Sequence, residues 1–164
     1  MRFLWWIKRD FRLNDNEALS RACAAAEKNG GEVLPVYLVE PSLIAAPETG
    51  ELHRQVIAGA LDHLRDALRR GGAELLVLSG ELPQLFEELS RRLPFDEIVA
   101  EEETGTSITY ERDKRVRAWA AAGGIPFREY PRNGVIRGLT DRDRRMALWR
   151  ERMERDPYPA PAAI

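Results

Sequence analysis

One cysteine, Cys23, and two histidines, His53 and His63, are all that this 164-residue chain has of the softer metal-binding residues. A single thiol closes no intrachain disulfide and has no partner for a CxxC redox or zinc pair. Its setting among alanines reads as a packed thiol on a helix. The histidines lie ten positions apart in one helical segment. That is too far to share a metal ion, so both read as solvated helix positions and no metal is expected. Neither GxGxxG nor GxxxxGKS/T is present, which argues against a Rossmann dehydrogenase or a P-loop NTPase. Position along the chain suggests no Ser/His/Asp or Cys/His grouping, and no catalytic residue is assigned. The chain has no basic leader followed by an apolar stretch, and no apolar run near the ~20 residues of a membrane span. A cytoplasmic protein without membrane contact is expected. Lys and Arg total 25 against 27 Asp and Glu, a net charge of −2 that does not suit a domain built to hold nucleic-acid phosphates.

What is present is a globular composition, 44% apolar and 32% charged, at the length of one domain with its own core. Three helix-like stretches end in paired glycines, Gly30-Gly31, Gly71-Gly72 and Gly123-Gly124. Each pair is followed by an apolar run: Val33 to Val39, Leu75 to Leu78 and Ile125 to Tyr130. Glycine past a helix end accepts the left-handed conformation, so each pair reads as a C-cap and a turn into a strand. Phe3 to Ile7 and Ile98 to Ala100 complete five strands. Their near-continuous apolarity fits parallel strands covered on both faces.

Helices are expected between them. Asp15 or Asn16 caps the first, whose Leu19, Ala22, Cys23 and Ala26 share one face. The second, Glu51 to Arg70, aligns Ile57, Leu61, Leu64 and Leu68. The third, Pro83 to Leu93, carries Leu85, Phe86 and Leu89. The fourth, Ser107 to Ala122, carries Val116, Trp119 and Ala120. The alternation predicts an α/β fold, a doubly wound five-stranded parallel sheet with helices on both faces. Residues 1–139 form this domain.

Residues 140–164 are expected to be a terminal helix and a proline-rich linker, Asp156-Pro157-Tyr158-Pro159-Ala160-Pro161, leading toward a further domain. Nine arginines against five acids give Arg128 to Arg155 a local charge of +4. On the terminal helix, Met146, Trp149 and Met153 form a stripe, and Trp149 is expected to pack on the core. The other tryptophans read as core or domain-contact residues.

In an open parallel sheet, ligands sit beyond the carboxyl ends of the strands. The residues there are Lys8 to Arg12, Val39 to Pro41, Ser79 to Glu81 and Glu101 to Thr106. The acid run Glu101-Glu102-Glu103 reads as a polar strand-end loop. Asp10 and Arg12 are expected to pair across a tight turn, with Asp15-Asn16 as a helix cap.

The run Trp6-Ile7-Lys8-Arg9-Asp10-Phe11-Arg12-Leu13-Asn14-Asp15-Asn16-Glu17-Ala18-Leu19 resembles the opening motif of the DNA photolyase/cryptochrome family. Val36 to Pro41 is similar to the family's second strand with its acid-Pro ending, and Tyr110 to Asp113 with Val116 to its Arg-Asp-x-x-Val helix start. The resemblance implies the strand order 3-2-1-4-5, in the amino-terminal α/β domain of a two-domain flavoprotein that repairs DNA with light, as a lyase, or senses blue light. It places FAD only in a carboxyl-terminal helical domain, the expected partner, through which damaged DNA is met. It also implies an antenna chromophore here, a folate, deazaflavin, flavin or lumazine, with Arg9, Tyr37, Arg54, Glu103 and Thr104 as its binding residues. Arg54 and Tyr37 would stack on a ring, and Glu103 and Thr104 would bond its polar edge. The chain alone is expected to be inactive, and to dimerise if its interface is exposed. The rival readings are a free-standing nucleotide-binding module of universal-stress type and an interaction domain with an empty pocket.

Overall fold

A computed structural model describes all 164 residues. In chain order the elements are β1 (Arg2–Ile7), α1 (Glu17–Asn29), β2 (Glu32–Val39), α2 (Pro41–Ile44), α3 (Glu51–Arg70) and β3 (Leu76–Ser79). They continue with α4 (Gln84–Arg92), β4 (Glu97–Glu101), α5 (Ser107–Ala122), β5 (Phe127–Tyr130) and α6 (Arg145–Met153). The five strands pair in the order β3-β2-β1-β4-β5, and every pairing is parallel. This is the expected fold class and strand order. The ends of the five strands and of α3, α4 and α5 move by no more than two residues, the terminal helix starts at Arg145 rather than at residue 140, and the short helix α2 was not foreseen.

The apolar run of β1 is explained by its central place in the sheet. Phe3, Leu4, Trp5, Trp6 and Ile7 are each 2% exposed or less. Successive side chains point to opposite faces, so β1 feeds two cores. Phe3, Trp5 and Ile7 pack with Leu19 of α1 and with Leu61, Leu64 and Leu68 of α3. Leu4 and Trp6 pack on the other face with Phe86 of α4 and with Val116 and Ala120 of α5. Trp6 meets Phe86 edge-on at 5.3 Å between ring centroids. At the sheet edges β3 alternates half-buried and exposed residues, as a strand with one open side should.

Gly30 ends α1 with φ 59°, and Gly31 lies so close to the Met1 carbonyl that a Cβ would come within 2.2 Å of its oxygen. That first glycine pair thus has two separate functions, a left-handed cap and a close approach of backbones.

The terminal segment departs from expectation. No residue of α6 is buried, and Trp149 is 40% exposed, with Met146 and Met153 more so. The indole of Trp149 lies on Gly134 of the loop after β5, where a Cβ would clash at 2.3 Å. Trp149 packs on this loop and has no place in either core. The periodicity of the stripe was real, but the face that it forms lies outside both core clusters. Beyond α6 the proline-rich residues run back over the domain. The Tyr158 carbonyl accepts from the Asp15 N–H at 2.7 Å, and the Ile164 N–H donates to the Gly71 carbonyl at 3.1 Å. Arg155 donates to Glu17 at 2.5 Å and covers the Tyr158 ring.

The contrast between a core aromatic and this surface one is measurable by urea unfolding. Phe86→Ala should cost about 3–5 kcal/mol, the range for a truncated buried aromatic. Trp149→Ala should cost about 1 kcal/mol or less, as surface changes do. Equal losses would contradict the placement of α6.

Candidate functional site

Four strand ends deliver charged side chains to one region: Lys8 after β1, Glu40 after β2, Glu103 after β4 and Glu129 within β5. Helix α5 supplies Arg112 and Asp113 from its buried face. The Arg112 guanidinium donates to Glu40 Oε1 at 2.7 Å, to Glu103 Oε2 at 2.5 Å and to Asp113 Oδ1 at 2.9 and 3.0 Å. Lys8 Nζ donates to Asp113 Oδ2 at 2.8 Å and to Glu129 Oε1 at 3.0 Å. Both cations lie over the Trp6 ring, Lys8 at 4.3 Å and Arg112 at 4.8 Å from its centroid. Arg137 and Arg117 close the Glu129 end from the surface. Burial alone would lower the Arg112 pKa, but the carboxylates of Glu40, Asp113 and Glu103 outweigh it and raise it.

Beside this network lies a cavity of about 620 Å³ at the carboxyl ends of the strands, a size typical of small-molecule sites. Its floor carries Glu40, Glu103 and Arg112, and its walls are largely apolar, with Leu43 and Ile44 of α2 and Leu52, Val56 and Ile57 of α3. Four of the five residues expected to hold a chromophore line it: Arg9, Tyr37, Arg54 and Glu103. Arg9 donates to Glu103 Oε1 at 2.8 Å and is 57% exposed in its side chain. Tyr37 packs against Phe11, and burial, then Glu40, raises its hydroxyl pKa. Arg54 bonds Glu51 and the Thr49 carbonyl at the start of α3. Thr104 is not among the lining residues, and its hydroxyl accepts from Asn133 Nδ2 at 3.1 Å. His53 is exposed as expected, but it also lines the cavity and accepts from the Gly50 N–H through Nδ1.

Lys8 and Glu40 were named only as strand-end positions and Arg112 and Asp113 only as part of a helix motif, and none of them, nor Glu129, was given a binding role from the sequence. A signal for one of them was present. Arg112 stands one helical turn before Val116 and two before Ala120, on the stripe that packs in the core. A charge on an apolar stripe needs a buried partner.

The other side of the same sheet edge is scaffold. Asp10 does not pair with Arg12 through its side chain. It accepts from Trp5 Nε1, the Lys8 N–H and Asn16 Nδ2, at 3.2, 2.9 and 3.1 Å. Arg12 donates instead to the Asp15 carbonyl, and Asn16 caps α1 by accepting from the Leu19 N–H. The turn needs Asp15 at φ 50°, which short polar residues tolerate.

Glu101 is buried between Arg12 and Arg132 with Oε2 lacking a hydrogen-bond donor. Burial, reinforced by Asp10, pushes its pKa up from 4.5 to about 7. A carboxyl raised on folding stabilises fully below its unfolded pKa and loses that contribution as pH rises through the folded one. Glu101→Gln should therefore gain stability relative to the unmodified chain as pH rises from about 4.5 to about 7. Urea midpoints across that window check this, and a constant difference would contradict it.

Comparison with known proteins agrees with the fold. The family model described as DNA photolyase matches residues 3–138. The chain is 33% identical over 179 residues to the cryptochrome DASH of Natronomonas pharaonis, covering 97% of this chain and 36% of that protein. A class III photolyase from Agrobacterium tumefaciens superposes with a TM-score of 0.79 at 22% identity, over 99% of this chain and 34% of that one. An archaeal photolyase from Sulfolobus tokodaii, described with two FAD molecules and a novel light-harvesting cofactor, superposes with a TM-score of 0.75 at 26% identity, over 99% and 38%. This chain spans a little over a third of the length of these relatives. No helix is long and apolar enough to cross a membrane. The chain belongs to the DNA photolyase family and corresponds to its amino-terminal photolyase/cryptochrome domain.

Proposed function

We propose that this domain binds a planar light-harvesting chromophore in the cavity at the carboxyl ends of its strands and passes the absorbed energy to a flavin held by a separate helical domain. The observation that carries the reading is the convergence of Arg9, Tyr37, Arg54 and Glu103 on one cavity with apolar walls. A tricyclic or bicyclic heterocycle needs such a slot, with few polar anchors on its rim and floor. Arg9 and Arg54 would serve an anionic or polar substituent at the mouth, and Tyr37 would pack on the ring. That the Sulfolobus tokodaii relative is described with two FAD molecules and a novel light-harvesting cofactor is consistent with a second chromophore in this family. Bound chromophore supplies near-ultraviolet or blue absorption. The chain's own residues position the ring and keep bulk water from one face.

The repair or signalling chemistry, and contact with damaged DNA, belong on this reading to the FAD-holding domain, and the present chain alone carries no repair activity. A lesion stacked in a duplex must be extruded before it can be reduced, and a net charge of −2 gives this domain little hold on phosphates.

The test is the absorption spectrum of freshly purified protein read beside its denatured extract. A band in the near-ultraviolet or blue, reduced severalfold in Tyr37→Ala while the far-ultraviolet circular dichroism is unchanged, is the expected result. Adenine absorbance alone would point to a nucleotide-binding module. Colourless protein that takes up no flavin, folate or lumazine would overturn the reading.

A further inference from the structure

The residues that follow α6 lie across the layer formed by α1 and α3. Tyr158, Pro161 and Ile164 are half-buried there, and the residues between them are exposed. A spacing of three is the period of a polyproline II helix, the extended form that Pro157, Pro159 and Pro161 favour. One side of the segment thus faces the domain. Such a helix has no internal hydrogen bonds, so its order rests on the surface beneath it. The Tyr158 carbonyl accepts from the Asp15 N–H at 2.7 Å, and the Ile164 N–H donates to the Gly71 carbonyl at 3.1 Å. From Tyr158 to Ile164 the extended chain reaches about 19 Å, which matches the length of about 20 Å expected for the 13-residue helix α1. One anchor therefore lies at the cavity end of the layer and the other at the opposite end. Ile164 also packs against the core that α1 and α3 cover.

We propose that the α1–α3 face is a docking surface for an extended proline-rich segment, filled in cis by residues 155–164, and that this segment is a releasable latch on the β1–α1 turn. Charge and shape select the occupant. Glu17, more than nine-tenths buried at the start of α1, calls for a cation at the head of the segment. Arg155 supplies it, donating to Glu17 at 2.5 Å and covering the Tyr158 ring at 4.9 Å from its centroid. At the far end Gly71 makes room for the Ile164 side chain, to which a Cβ would come within 3.4 Å. The turn is where docking acts. Asp15 stands there at φ 50°, its carbonyl held by Arg12 and its N–H by Tyr158. Arg9 and Phe11 of the same turn line the cavity. Release of the segment gives the Asp15 N–H to water and removes one of the two holds on that residue.

The anchors are few enough to let go. Two backbone hydrogen bonds, one ion pair and three half-buried side chains hold the whole segment. Strand β1, by contrast, is paired on both sides and buried on both faces. Elements with few buried apolar contacts open locally, at a free energy well below that of global unfolding. The three prolines limit the freedom that the segment gains on release, which favours the closed state without fixing it.

Native-state hydrogen exchange on the intact chain tests the latch. The Asp15 and Ile164 amides should exchange at least about a hundredfold faster than those of β1, through an opening that low urea does not promote. Arg155→Ala and Glu17→Gln should each speed both amides by about tenfold, the worth of a hydrogen bond between charged groups, and leave the protection of β1 unchanged. The double variant should go no further than either change alone, since both remove the same contact. Exchange of the two amides only together with β1 would overturn the proposal, because the segment would then belong to the cooperative core. A response of one amide without the other, or of neither, would also overturn it, by leaving separate contacts and no latch. Protection that grows with protein concentration would do so too, since a second copy's segment would then fill the surface.

Discussion

The arrangement at the carboxyl end of the sheet depends on one guanidinium. Arg112 lies on the buried face of α5 and reaches carboxylates from three places at once, Glu40 after β2, Glu103 after β4 and its own neighbour Asp113. Burying these charges would be prohibitive singly. A planar fork with five donors in fixed directions is the side chain that can satisfy several carboxylates together. Lys8 extends the network from β1 to Glu129 on β5, so four of the five strand ends are tied by charge. Beneath both cations, Trp6 presents its ring face and fills the core at the same time.

The network shapes the cavity beside it. Arg112 draws Glu40 and Glu103 to the floor, and Arg9 takes the remaining oxygen of Glu103 at the mouth. The apolar walls come from elsewhere, from α2 and the first turns of α3, where Leu52 and Val56 remain exposed for want of anything to cover them. The cavity therefore has an ion-paired floor on the sheet and an apolar wall on α2 and the start of α3.

The fold was legible because its signals were local and repeated: glycine pairs after helices, continuous apolar strands, and stripes such as Ile57, Leu61, Leu64 and Leu68. The opening motif runs from a strand end that lines the cavity into the β1–α1 turn, which Asp10, Arg12 and Asn16 build, with Asn16 the expected cap. Arg9, Tyr37 and Glu103 reach the cavity from the carboxyl-terminal side of the strands, whose positions are fixed once the topology is known, and Arg54 reaches it from the first turn of α3. Thr104 does not, because its backbone lies just past the strand end, where its hydroxyl meets Asn133. The central network was harder to read. Its partners are separated by up to 121 positions, as Lys8 and Glu129 are, and no local pattern couples them. Trp149 shows the opposite failure. Its helical spacing suggested a core face, yet periodicity reports that a face exists and says nothing of what covers it.

The claim that Arg112 and its carboxylates act as one unit is most directly tested by a double-mutant cycle in urea unfolding, with Arg112→Leu, Glu103→Leu and the pair. Arg112→Leu strands buried carboxylates and should cost about 3–5 kcal/mol, and Glu103→Leu, which leaves Arg112 on Glu40 and Asp113, should cost less. The double variant should cost less than the sum by roughly 0.5–3 kcal/mol, as residues within one network do. Simple additivity of the two losses would contradict the account.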